Sequence, residues 1–251
     1  MTGRVRPRGT RSAGAARRSA SGHDPGVPAR QPAPSMDRPR PVFSRVYARI
    51  SEGMDAEGLG ALRTELLAPL SGRVVEVGCG NGRNFARYPA PVTQVTAVEP
   101  EPHLRALATR AAAAAPVPVT VVPGTAEALP LPDGGFDAAV LCLVLCSLPD
   151  RTTALAELRR VLRAGGTLVF LEHALAPTRR MRAVQRIADA TVWPVLAGGC
   201  HTATDPVGDV QRAGFEVTGL RRLRFPDTRV SLPATPHVLG SARSPTDADG
   251  G

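Results

Sequence analysis

Nowhere in this chain do 18 or more apolar residues follow one another, and its Arg-rich start has no apolar core. That pattern excludes a membrane-spanning helix and a secretory signal, so the expectation is a soluble, cytoplasmic protein without a membrane partner. Cysteine is sparse: Cys79, Cys142, Cys146 and Cys200 match neither a disulfide framework nor a zinc-ligand spacing. Free buried thiols in a reducing compartment are expected, and no metal site. Lysine is missing altogether, and an Arg-, Ala- and Pro-heavy usage without it reads as the coding of a GC-rich bacterial genome.

Charge is also scarce where a fold can form. The formal net charge is +9, but residues 1–40 hold nine Arg against Asp24 and Asp37, which is +7 and leaves +2 for the other 211 residues. A nearly neutral body has no polyanion footprint, so no nucleic-acid partner is expected. Residues 1–40 also lack bulky apolar side chains and cannot offset their ordering entropy, so they read as a disordered basic tail. Apolar periodicity begins at Val42, with Met36 just ahead of it as an alternative start. One domain over residues 41–243 and a frayed tail over 244–251 complete the expected organisation.

From residue 57 the pattern alternates helix and strand. Helices are expected over 57–69, from the glycine-rich loop to about Pro89, and over 102–114, 152–163 (stopped by Gly165-Gly166), 180–196 and 205–213. Strands are expected over 73–77, 95–98, 117–122, 136–145, 167–171, 215–223 and 237–242. Such alternation predicts an α/β, Rossmann-like, doubly wound, mostly parallel seven-stranded sheet with helices on both faces.

In such sheets ligands sit beyond the carboxyl ends of the strands, at the switch point. The first strand here runs into Glu76-Val77-Gly78-Cys79-Gly80-Asn81-Gly82. Three glycines at spacing two let a cofactor lie against bare backbone. A dinucleotide fingerprint would need its third glycine where Arg83 stands. A carboxylate at Glu76 would repel a pyrophosphate but suits an ammonium, as in the methionine part of S-adenosylmethionine. Glu99, at the end of the second strand, suits two ribose hydroxyls. Gly78, Cys79, Gly80, Gly82, Asn84 and Pro100 complete this end of the expected cofactor site. Thr125-Ala126-Glu127 stands where an adenine amino group would lie, with a loop cap as the other reading of Glu127, and Leu143 is placed to pack on the cofactor.

On these residues the chain resembles the class I methyltransferases, and more narrowly their methyltransferase-like 7 branch, which includes alkyl-thiol S-methyltransferases. The matching pieces are residues 80–89 and 95–103, Leu143-Val144-Leu145-Cys146-Ser147, residues 160–166, Glu172-His173, the Gly199-Cys200 loop and residues 236–240. The resemblance implies a small-molecule methyl acceptor, with a lipophilic thiol first, then a quinone or natural product. A non-catalytic cofactor-binding or nucleic-acid-associated protein is the rival from another class. Two departures stand out. The hydrophobic N-terminal segment of animal members is absent from residues 1–40, and Thr204-Asp205-Pro206 replaces an expected Arg and acid followed by Thr.

Methyl transfer from a sulfonium is an in-line displacement that needs alignment and water exclusion. A thiol needs no strong base, since roughly a few per cent of it is ionised at neutral pH. Glu172, His173 and His201 are the candidate bases, each with a structural reading beside it. Cys146 and Cys200 read as pocket lining, and Trp193 as a lid or as core.

Overall fold

The computed structural model describes residues 1–3, 41–228 and 231–246. The chain divides into Met1–Pro32, of which only residues 1–3 are described, and Ala33–Gly251, which holds the fold. Most of the tail expected over 1–40 therefore lies outside the described residues. At the other end Ser244, assigned to the frayed tail, is buried and its amide donates to the Gly166 carbonyl at 2.8 Å.

One sheet runs β3 (Val119–Val122), β2 (Val92–Val98), β1 (Gly72–Val77), β4 (Phe136–Cys142), β5 (Leu162–His173), β7 (Pro236–Arg243), β6 (Glu216–Arg224). All neighbours are parallel except β7, which is antiparallel to both β5 and β6. The order reverses between β1 and β4, which fixes the switch point at their carboxyl ends. Because β7 runs backwards, its first residues return to that edge, and His237 pairs with His173.

Alternate residues of the central strands bury on opposite faces. Val75, Val77, Leu141 and Phe170 pack with Leu155 and Leu158 of α4 (Arg151–Val161) and Val210 of α7 (Pro206–Arg212). Val74, Val95, Val140 and Leu171 pack with Leu66 and Leu67 of α2 (Gly60–Leu67) and Ala108 of α3 (Pro102–Ala112). Caps written in the sequence start these helices: Glu101 accepts from Leu104 N at 2.7 Å ahead of Pro102, and Asp150 from Thr153 N at 3.0 Å. Asp205 caps α7 in the same way with Pro206 at the first helical position. The departure at residues 204–206 is thus a helix start.

Several boundaries differ from the sequence reading. The helix expected after the glycine loop is only a single 3₁₀ turn, Phe85–Arg87, because Gly78, Gly80 and Gly82 all take positive φ and Pro89 follows closely. The helix expected over 57–69 starts as a wide π turn, Asp55–Leu59, broken by Gly58 at φ 119°, and α1 (Pro41–Met54) precedes it. α4 ends at Val161, so Gly165-Gly166 sits inside β5 and stops no helix. β4 ends at Cys142, and the helix expected over 180–196 is two, α5 (Arg179–Asp189) and α6 (Trp193–Leu196).

Candidate active site

The carboxyl ends of β1 and β2 build a glycine cradle. The amides of Gly78 and Cys79 donate back to the Val98 carbonyl at 2.8 and 3.3 Å, which folds the loop across β2. Glu99, buried at the end of β2, accepts from Gly80 N at 2.8 Å through one oxygen and from Glu101 N at 2.9 Å through the other. Burial raises its pKa against those bonds. A side chain at Gly80 would stand 3.2 Å from the ring of Tyr47 in α1, so α1 lies on the cradle. Asn81 ties the two together through Ser51 Oγ at 3.0 Å. Cys79 is a buried thiol raised well above its usual range, chiefly by burial. The Pro100 carbonyl, with that of Glu99, is held by Arg105 Nη1 at 2.9 Å.

Glu76, expected beside an ammonium, already has a protein partner on each oxygen. Its two oxygens take Asn84 Nδ2 at 2.8 Å and the Tyr88 hydroxyl at 2.7 Å, and burial lifts its pKa to about 7. Asn84, expected against the cofactor, is likewise engaged at both ends, since its Oδ1 accepts from Arg63 Nη1 at 3.0 Å. Behind it lies a group that the sequence reading missed. The Asp55 carboxylate meets Arg63 and Arg83 at 3.0 Å and Arg87 at 3.1 Å. Those partners come from α2, the end of the glycine loop and the 3₁₀ turn after it, so no local spacing announces the cluster.

At the ends of β3 and β4 the geometry is tighter. Ala126 is buried, Thr125 bridges to Ala128, and Glu127 Oε1 is buried with no hydrogen-bond partner among the described residues. Leu143 holds φ 60°, a left-handed conformation costing a branched residue roughly 1–2 kcal/mol. What keeps it there is Glu172, whose Oε1 accepts from Val144 N at 2.9 Å and Leu145 N at 3.1 Å. Glu172 therefore fixes the turn after β4, and its other oxygen has no partner among the described residues.

Burial raises Glu172 from 4.5 to about 7, against those two amide bonds. The folded state keeps its proton up to about pH 7, whereas the unfolded chain releases it near 4.5. The stability contributed by the neutral form is full below 4.5 and is lost as pH rises to about 7, and Glu76 adds to the same trend. Glu172→Gln should shrink this fall by on the order of 3 kcal/mol, read by urea unfolding at about pH 4.5 and about pH 7.5. An unchanged fall would mean that Glu172 is ionised in the fold.

The other candidate bases separate. His201 is exposed, with Nδ1 2.9 Å from the Gly199 carbonyl. His173 closes β5 with Nδ1 3.0 Å from the Ala234 carbonyl, and its ring is 4.3 Å from that of His237. His237 is buried and, chiefly by burial, lowered to about 3, so it stays neutral. The loop after α6 carries Cys200 back to within 3.3 Å of Cys146 Sγ. The hydrogen bond to Cys146, helped by His173 and opposed by burial, draws the Cys200 thiol down to about 5. The absence of any metal spacing is thus a property of the sequence only: donor atoms of Cys146, His173 and Cys200 lie within 4.8 Å of one another. Trp193 is half-buried, and its indole N–H also helps to lower the Cys200 thiol. A surface cleft of about 400 Å³ at the amino end of β5, lined by Arg159, Leu162 and Ala213 among others, includes none of these groups.

A methyltransferase domain family matches residues 75–170. The thiol S-methyltransferase TMT1B of Homo sapiens is 34% identical over 182 residues, covering 70% of this chain and 73% of that protein. The demethylmenaquinone methyltransferase of Thermus thermophilus is 34% identical over 128 residues, covering 50% and 58%. Among solved structures, an S-adenosylmethionine-dependent methyltransferase of Thermotoga maritima, described as a possible histamine N-methyltransferase, superposes with TM-score 0.58 at 23% identity over 81% of this chain and 98% of that one. No helix among the described residues is long and apolar enough to cross a membrane.

Proposed function

Since the chain belongs to the class I S-adenosylmethionine-dependent methyltransferases, in their methyltransferase-like 7 branch, we propose that it methylates the sulfur of a small lipophilic thiol. The observation that carries this reading is the 34% identity to a thiol S-methyltransferase over 182 residues, a stretch somewhat longer than the 174 residues matched at 32% by a ubiquinone/menaquinone C-methyltransferase.

The cofactor supplies an electrophilic methyl carbon on a sulfonium. Its seat in this reading is the cradle of Gly78, Gly80 and Gly82, bounded by Glu99 and by Thr125, Ala126 and Glu127. Two features support that assignment. Glu127 Oε1, buried and without a partner among the described residues, is an acceptor for a donor such as an adenine amino group, and the bare backbone at Gly80 has room for no Cβ without crowding Tyr47. Glu99, whose oxygens each keep a second lone pair, accepts from the ribose hydroxyls. Glu172 acts as a positioning residue: it holds the strained Leu143 turn at the acceptor side and takes no proton from the substrate.

The acceptor then enters as its own thiolate, and no enzyme base sets the pH dependence. Rates should rise with pH to a midpoint that moves with the thiol's pKa across a series of thiols, and His201→Ala and His173→Ala should leave the movement in place. Release of S-adenosylhomocysteine measures this. A midpoint fixed across the series and abolished by either histidine variant would replace the thiol with a phenol or quinone acceptor.

A further inference from the structure

We propose that Cys146, His173 and Cys200 form a binding site for a soft divalent cation of the zinc type, held by two thiolates and one imidazole with a fourth position left to solvent. The inference is independent of which acceptor is methylated.

Three separate elements deliver the donors: the turn after β4, the end of β5 and the loop after α6. Zinc bonds of about 2.3 Å to sulfur and about 2.0 Å to nitrogen set tetrahedral donor separations of about 3.5–3.8 Å. The sulfurs stand 3.3 Å apart and all three donor atoms lie within 4.8 Å of one another, so shifts of under about 1.5 Å bring them to a shared ion. A disulfide would need the sulfurs at about 2.05 Å.

The surroundings have the form of a ligand's support. A carbonyl can only accept, so the contact between His173 Nδ1 and the Ala234 carbonyl at 3.0 Å puts the proton on Nδ1 and leaves Nε2 with its lone pair. The strand position of that ring is fixed by pairing with His237 and by Thr204 Oγ1, which donates to the His173 carbonyl at 2.7 Å. Cys200 is brought in by Gly198 and Gly199 at φ 62° and 93°, a bend that few other residues make. The next amide, His201 N, donates to the Cys146 carbonyl at 2.8 Å, so main chain as well as side chain joins the two cysteine segments. Such an arrangement of three protein donors and one open place is that of zinc sites that keep a position for an exchangeable ligand. Cys200 is 7% exposed and the next residue, His201, is exposed, so the cluster lies just beneath the surface.

Cobalt(II) is the probe. The full-length protein, reduced with a phosphine and stripped by a chelator, should take up one equivalent. It should show thiolate-to-cobalt charge transfer and tetrahedral d–d bands, which zinc then displaces. Loss of a mere supporting hydrogen bond weakens metal binding by about 10–100-fold, so Cys200→Ser and His173→Gln should each weaken it by more than about a hundredfold. Retained S-adenosylmethionine affinity shows that each variant is folded, and the wild-type spectrum and stoichiometry need no variant. No saturable uptake by the reduced wild type would overturn the proposal. So would uptake that survives in both variants, or a Cys146–Cys200 disulfide formed by a protein that binds no metal when reduced.

Discussion

Asp55→Ala should cost about 3–5 kcal/mol of stability, the range found when one partner of a buried ion pair is removed. The side chains of Asp55 and Arg63 are 4% and 5% exposed. Arg63 would keep Asn84 Oδ1 and the Cys142 sulfur, 3.1 Å away, as partners, but no carboxylate. Arg83 and Arg87 are more open, so their release adds less. Urea unfolding of the two proteins measures the difference, and a cost under about 1 kcal/mol would show that solvent reaches Arg63 and that the cluster is not a buried one. Replacing both partners with apolar groups is milder than orphaning one. Asp55→Ala should therefore cost less in an Arg63→Met background, with a coupling of about 0.5–3 kcal/mol. The variant should also bind the cofactor more weakly, because Asp55 follows α1 directly and holds Arg83 and Arg87 beside the glycine loop.

The sheet was legible because burial writes a period into the chain. The apolar runs read over 73–77 and 136–145 and Pro102 at the start of α3 each state a local preference, although β4 stops at Cys142. Polar pairings across loops leave no such period. Asp55 looks like any acid in a glycine-containing turn until α2, the loop and the turn after it bring three arginines to it. Glu76 read as an acid suited to an ammonium, and its pairing with the Tyr88 hydroxyl and the Asn84 amide left no period in the sequence. Gly165-Gly166 illustrates the opposite ambiguity, since a positive-φ glycine serves a β5 irregularity as well as a helix stop. The Cys146, His173 and Cys200 cluster is the extreme case. Its members are invisible as a group because the antiparallel β7 and the loop after α6, both at the weakly patterned end of the chain, complete its surroundings.

Gly80→Val should weaken S-adenosylmethionine binding by about ten- to a hundredfold while the domain stays folded. Gly80 holds φ 56°, so any side chain brings a left-handed strain of about 1–2 kcal/mol, which a domain of ordinary stability survives. Strain alone predicts no loss of affinity. The loss comes from crowding: the first added carbon already stands 3.2 Å from the Tyr47 ring, so a larger side chain must displace the glycine loop or Tyr47 beside the proposed seat. Overpacking of this kind costs about 1–3 kcal/mol, and each 1.4 kcal/mol is about tenfold in affinity. Gly134 separates the two effects, because it has nearly the same φ, 59°, with nothing within 4 Å of an added Cβ. Gly134→Val should therefore lower stability by the strain alone, no more than Gly80→Val does, and leave the calorimetric affinity unchanged. If Gly80→Val binds as tightly as Gly134→Val, the cofactor does not lie on the glycine cradle and the seat assigned to it is wrong.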